Sequence, residues 1–243
     1  MRHLLMIVAL SVLVALAGAI GAADEPDRGS TGEPTAREIL DRYVDALGGR
    51  DAIERLSSRV CIGKETTDLT SREQPMYESF YLEANTRVPM DYRLQESCGQ
   101  GGHLEGFDGK VGWVKDKCGV RTETEVGSGR LAFLLNPRGP LHIDEYFPLL
   151  SYDGTAEVNG VQAFVLKPDS LKPAHNTLYF DTESGLLIRI GYFWTIEDYR
   201  EVDGVLFPHR ISTSRKGGST VYKFETVMHN VAMRDSLFVM PEE

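Results

Sequence analysis

Two tight turns constrain this chain more than any other feature. Within 176–228, residues 177–181 and 186–193 flank Thr182-Glu183-Ser184-Gly185, and residues 195–202 and 205–212 flank Asp203-Gly204. An Asp-Gly pair accepts the positive φ that a two-residue hairpin turn demands, so two consecutive β-hairpins are expected. After Lys216-Gly217-Gly218, the residues Tyr222, Phe224, Thr226 and Met228 alternate with Val221, Lys223, Glu225 and Val227. That period of two predicts one more strand with an apolar face and a wetter one.

The remainder reads in the same way. Thr35 and Glu38 make a capping box, and Ile39, Leu40, Tyr43, Val44 and Leu47 follow at helical spacing until Gly48-Gly49 ends the run. A second short helix is expected over 51–56; the pair is too small to fold alone and must lie on a sheet. Strands are predicted at 59–64 and 76–83, and Val88, Met90, Tyr92 and Leu94 alternate cleanly with polar residues or proline. A glycine-rich connection at 99–102 leads to a hairpin of 103–107 and 110–115, which carries Trp113. The pattern then breaks. Leu131, Leu134 and Leu135 show helical spacing within 128–136, and 140–148, with Tyr146 and Phe147, offers another short helix. Strands resume at 155–158 and 161–166 around Asn159-Gly160. Eleven or twelve strands with two helical segments define a mainly β chain with one large, strongly curved antiparallel sheet. Two short helical segments cannot cover the apolar concave face of such a sheet, and the uncovered remainder is a cavity or a contact surface.

Residues 1–23 have the layout of a secretory signal peptide: Arg2, an almost wholly apolar stretch over 4–20, then small residues. Cleavage is expected after Ala23, with Ala17-Gly18-Ala19 as the second choice and an uncleaved anchor as the alternative. Residues 24–35 read as a flexible leader, and 36–243 as a single domain. The net charge of −10 and the absence of a Lys/Arg-rich run exclude a nucleic-acid partner. Three cysteines are compatible with an oxidising compartment. Cys98 and Cys118 lie ten residues on either side of Asp108, so a hairpin centred there would set them opposite each other, and a disulfide is the hypothesis. Cys61 is then a buried, inert thiol.

No catalytic constellation is visible. His142, Asp144 and Glu145 cluster without an HExxH spacing, and a solvated short helix explains them better than a metal site. His103, His175, His209 and His229 are scattered and read as surface or capping residues. There is no Gly-x-Ser-x-Gly elbow and no phosphate-cradling glycine loop. The expectation is a protein that is not an enzyme and needs no cofactor or metal.

Several stretches resemble the LolA-like outer-membrane lipoprotein-sorting family of the bacterial periplasm. They are Ile39-Leu40-Asp41-Arg42-Tyr43 with Ala46-Leu47-Gly48-Gly49, Gly106-Phe107-Asp108-Gly109-Lys110 with Trp113, Val158-Asn159-Gly160-Val161, Leu178-Tyr179-Phe180-Asp181 with Gly185-Leu186-Leu187, the run from Asp198 to Gly204, and Asp235-Ser236-Leu237-Phe238. The resemblance covers most of residues 36–241. It implies a periplasmic, incomplete β-barrel closed on one side by helices, with an apolar cavity that accepts acyl chains. The partner it implies is an acyl chain or lipid, with lipoproteins or an envelope partner protein behind it, and a monomer is expected. The alternatives are an envelope protein-interaction or stress-sensing module on the same fold, and a periplasmic enzyme. Candidate cavity or lid residues are Met90, Tyr92, Leu94, Trp113, Leu131, Leu134, Leu135, Tyr146, Phe147, Tyr222 and Phe224. The insert over 128–148 is the expected lid, and a filled, ligand-free core would count against a carrier.

Overall fold

The computed structural model describes residues 32–68, 77–88, 91–98, 101–124, 129–170, 172–215 and 218–242. The expected signal peptide, residues 24–31 of the leader, and Met90 lie outside the described residues. Pro34–Glu243 forms one structural unit.

Thirteen antiparallel strands make one sheet. In chain order they are β1 (Ser58–Asp68), β2 (Tyr77–Arg87), β3 (Asp91–Cys98), β4 (Gly101–Phe107), β5 (Gly112–Asp116), β6 (Gly119–Thr122), β7 (Ser151–Val158), β8 (Val161–Lys167), β9 (Leu178–Asp181), β10 (Leu187–Ile190), β11 (Trp194–Val202), β12 (Val205–Arg215) and β13 (Gly218–His229). Their spatial order is β6-β5-β4-β3-β2-β1-β13-β12-β11-β10-β9-β8-β7. The chain walks outward from β1 to one edge, jumps to the opposite edge at β7, and walks back until β13 meets β1. The sheet is an open, curved half-barrel, because β6 and β7 do not pair.

That topology dictates where the helices go. The segment that carries the chain from the β6 edge to the β7 edge has to cross a face of the sheet, and here it crosses the inner one. It contains α3 (Arg130–Leu135), a 3-10 turn (Gly139–His142) and α4 (Ile143–Tyr146). Before β1 come α1 (Ala36–Ala46) and α2 (Arg50–Glu54), so this pair lies over the middle of the same face. A further short helix, α5, spans Pro173–Asn176.

Local chemistry is as the sequence predicts where turns and caps decide it. The α1 capping box is complete: Glu38 N–H donates to Thr35 Oγ1 at 3.2 Å, and Thr35 N–H donates to Glu38 Oε2 at 2.7 Å. Asp203 and Gly204 have φ of 52° and 79°, and Asn159 and Gly160 have 52° and 84°. The Asp203-Gly204 turn is also a docking point for α1. Leu206 N–H donates to Leu47 O at 2.8 Å, and a Cβ on Gly48 would stand 2.3 Å from Gly204 O, so only glycine allows this approach.

Three expectations fail. The strict alternation along β13 is broken by a bulge where Ile62 pairs with Thr226 but Gly63 pairs with Phe224, leaving Glu225 over. Beyond it the strand's faces exchange, so Met228 is 40% exposed while His229 turns inward and is buried. Trp113 alternates with inward-facing Val114 and points to the outer face, where its Nε1–H donates to Phe238 O at 2.7 Å beneath the C-terminal segment. The Cys98–Cys118 disulfide is not formed. Cys98 pairs with Gly101 across the β3–β4 ladder, the strand β4 intervenes, and Cys118 is an exposed free thiol in the β5–β6 turn. The expected hairpin around Asp108 does form, but the chain has already turned back between Cys98 and Gly101.

Candidate functional site

The inner face and its helical cover make the candidate site. From the sheet come Cys61, Leu82, Ala84, Tyr92, Leu94, Phe207, Ile211 and Phe224, all buried in one apolar core with α1 to α4. Of the expected cavity residues, Tyr92, Leu94 and Phe224 lie in this core and Tyr222 packs against it half-buried. The insert supplies Leu134, Leu135 and Phe147, fully covered, with Leu131 and Tyr146 half-buried against them. Phe133, which the helical spacing did not single out, is the hub of the insert. Its ring contacts Tyr146 at 5.1 Å and meets Phe147 edge-on at 5.2 Å. It escaped notice because the insert is packed on several sides, so burial does not follow a single helical stripe.

Beneath the helical cover the described residues leave little space, whereas a larger hollow of about 710 Å³ lies along β3 to β5, lined by residues that include Glu96, His103 and Lys115. The cleft between α1, α3 and the start of β12, lined by Tyr43, Leu47, Phe133, Leu134, Phe207 and Arg59, has a volume of about 20 Å³, enough for one water. An acyl chain cannot enter this cleft without displacing the cover.

What holds the cover down is Arg59, a residue the sequence reading passed over. It is 4% exposed at the inward-facing second position of β1. Its Nη1–H donates to Leu135 O at 3.2 Å and reaches Asn136 O at 3.5 Å, and its plane lies 4.3 Å over the Phe207 ring. Thr86 Oγ1–H donates to the same Leu135 O at 2.9 Å. Among the described residues no carboxylate pairs with Arg59. Burial pulls its guanidinium down to about 10, which leaves it charged at neutral pH. Its Nε–H donates to His229 Nε2 at 2.9 Å. His229 therefore accepts at Nε2 and carries its proton on Nδ1, which lies 3.5 Å from Asp203 Oδ2, too long for a good hydrogen bond. Burial first, then the charge of Arg59, holds the imidazole down at about 4. One signal pointed to Arg59: an arginine at an inward position of an otherwise apolar strand start. The bulge that turns His229 inward left no trace in the alternation.

A second tie holds the insert to the first helical pair. Arg138 Nε–H donates to Leu56 O at 2.8 Å, and its Nη2 also bonds Glu54 O. These are side-chain bonds to backbone carbonyls, so the cover rests on packing and a few bonds, with no strand pairing to the sheet.

The histidines divide. His142 is exposed beside Glu145, with Nδ1 3.0 Å from Oε1, whereas His209 and His229 are buried, against the expectation of surface or capping roles. Among the described residues no three His, Cys, Asp or Glu side chains are gathered to hold a metal.

A half-barrel of this kind, open along two edges and covered on its inner face by helices, is a LolA-like fold. Solved structures agree. The chain is similar to a DUF1329 family protein from Desulfovibrio piger, with 14% identity over 84% of this chain and 96% of that one and a TM-score of 0.54. It is equally similar to a LolA superfamily protein from Nitrosomonas europaea, with 12% identity, 85% and 98% coverage and a TM-score of 0.54. A domain assigned to outer-membrane lipoprotein sorting in Vibrio parahaemolyticus matches at 11% identity, 82% and 97% coverage and a TM-score of 0.53. At such identities the likeness is one of fold. No protein-family model and no curated protein matches the chain.

Proposed function

We propose that the protein is a non-catalytic, periplasmic binding protein or carrier for an apolar moiety, an acyl chain of a lipoprotein or of another envelope lipid. The observation that carries this reading is the way the inner face is closed. An apolar surface that includes Leu82, Leu94, Phe207 and Phe224 shares one core with a helical insert whose fastening is a buried arginine on backbone carbonyls, with no carboxylate paired to it among the described residues. A cover meant to be permanent would do better with an apolar residue at position 59, since burying a guanidinium without a counter-ion costs several kcal/mol. A cover meant to lift gains from a charged latch, because the latch is rehydrated when it opens. The filled core under the cover counts against a permanently open carrier, as expected above; on this reading it is the closed state, and the ligand would replace the insert on the inner face. At roughly 25 cal/mol per Å² of apolar area, one acyl chain supplies several kcal/mol toward that exchange. The exported location rests on the signal-peptide pattern of residues 1–23; no described helix is long and apolar enough to cross a membrane.

The experiment is titration with a fluorescent fatty acid, together with lipid extraction and mass spectrometry of the purified protein. The wild type is expected to bind. Arg59→Met removes the latch, raises the fraction of molecules able to open, and is expected to tighten apparent binding by about tenfold, since apparent affinity scales with that fraction. Absence of binding in both proteins, with no co-purified lipid, would refute the reading.

A further inference from the structure

The outer face of the sheet carries a row of cations set against one another. In the spatial order of the strands, β12, β13, β1 and β2 are adjacent and occupy the middle of the sheet. Arg210 on β12 pairs with Lys223 on β13, Lys223 with Lys64 on β1, and Lys64 with Tyr81 on β2. Their neighbours along the strands, Ile211, Phe224 and Leu82, are buried in the inner core, so these four residues project from the opposite face, and all are exposed. From Tyr81 the row continues through Ser97 to Gly102. Those two residues, with little or no side chain, line the hollow of about 710 Å³ together with Arg93, Lys115 and Lys117.

Like charges directly opposite on neighbouring strands are destabilising, and here three stand in register about 5 Å apart. The outer two are relieved from the flanks: Arg210 Nε lies 3.1 Å from Glu197 Oε2, and Lys64 Nζ lies 3.6 Å from Glu225 Oε1. Both pairs are exposed and contribute little. Lys223 stands between two cations with no carboxylate at ion-pair distance among the described residues. Asp198, which feels its charge, is held by Arg200 at 2.6 Å. Lys115 and Lys117 likewise have no such partner among the described residues, and Asp116 between them is taken by Arg121 at 2.8 Å.

The whole chain carries a net charge of −10, so this row is a local reversal of sign. It lies at the crest of the convex face, the part of a curved sheet that a flat partner meets first. Most of the cations are lysines, point charges without the fork that fixes a single carboxylate, and such groups suit a field of many phosphates. Tyr81, 46% exposed within the row, adds an aromatic ring with a polar tip, the kind of side chain that settles at a membrane–water interface.

We propose that the crest of the outer face docks on an anionic phospholipid bilayer, with Arg210, Lys223 and Lys64 over the phosphates, Tyr81 at the interface, and Lys115 and Lys117 extending the cationic field. This surface lies on the opposite side of the sheet from the apolar core, and the proposal does not depend on the carrier reading.

Sedimentation with sucrose-loaded vesicles of pure phosphatidylcholine, and of an equimolar mixture with phosphatidylglycerol, tests it. The wild type is expected to sediment with the mixed vesicles and not with phosphatidylcholine alone. It should be released as salt rises from about 0.02 to about 0.5 M, which shortens the range of the field several-fold. Each cation near an anionic surface is worth about fivefold in affinity, so Lys223→Gln should bind about fivefold and Lys64→Gln/Lys223→Gln about 25-fold more weakly. The double variant should unfold in urea at the same or a higher midpoint, because it removes repulsion between paired strands. Lys172→Gln, which removes an exposed cation just before α5, should bind as the wild type does. Equal sedimentation with both kinds of vesicle, undiminished binding by the double variant, or an equal loss in Lys172→Gln overturns the proposal. None of these results bears on the fatty-acid titration.

Discussion

Replacing His229 with Gln should change how stability depends on pH, and the structure sets the size and sign of the change. The imidazole is held at about 4 in the folded protein against roughly 6.5 in an unfolded chain. Because the folded value is depressed, the unfolded chain takes up the proton first as pH falls. The contribution is complete above about 6.5, is lost as pH drops through the window to about 4, and is constant below it. Two and a half units correspond to about 3 kcal/mol, with a slope of about 1.4 kcal/mol per pH unit inside the window. Glu96 acts in the opposite sense. Its folded value is raised to about 9, so its contribution is complete below roughly 4.5 and is lost as pH rises through 9. Between about 4.5 and 6.5 the two slopes oppose each other, and the wild-type curve alone is uninformative. The difference between wild type and His229→Gln cancels Glu96 and isolates the histidine, because the two sites share no contact in the structure. Urea unfolding at several pH values across this window, at constant salt, should show the wild type losing stability relative to the variant by about 1.4 kcal/mol for each unit of acidification. Parallel curves would refute the buried, neutral histidine and with it the Arg59–His229 bond. A protonated Nε2 can no longer accept from Arg59 and sets two cations side by side, so acid should also loosen the cover and speed entry of the fatty-acid probe.

Two further outcomes test other parts of the fold. Phe238 is 1% exposed on the outer face, its carbonyl bonded by Trp113 and its ring 4.9 Å beneath the Arg87 guanidinium. Phe238→Ala should cost about 3–5 kcal/mol in urea unfolding while leaving probe affinity unchanged; a shift in affinity would mean that the outer face takes part in binding. Burial pushes the Cys61 thiol up to about 12, whereas Cys118 is exposed. Brief treatment of the folded protein with iodoacetamide, followed by peptide mapping, should label Cys118 and spare Cys61 until denaturant is added; early labelling of Cys61 would show that the cover opens readily.

Much of the architecture was legible because it depends on neighbours in sequence. The capping box at Thr35 and Glu38, the turns at Asn159-Gly160 and Asp203-Gly204, and the alternation of β3 follow from local sterics and hydrogen bonding, which a few adjacent residues decide. The insert was recognisable too, since Leu131, Leu134 and Leu135 break the period of two. The candidate site was read in part. Tyr92, Leu94, Phe224 and the leucines of the insert do meet in one core, but Trp113 belongs to the opposite face: alternation shows that a strand has two faces without saying which is inner.

The sequence by itself determined a ladder of hairpins, the helical segments and where they break, and an apolar stripe on most strands. The half-barrel, the pairing of β1 with β13, and the crossing of the insert over the inner face were decided by tertiary structure, because they join residues from 49 to 170 positions apart. So was the placement of the buried polar groups. Arg59 meets His229 only after a bulge at Glu225 turns that histidine inward, and Glu65 meets Glu96 only because the curved sheet brings β1 and β3 onto one face. Local pattern states what each residue prefers; which polar groups end up buried together depends on which strands become neighbours.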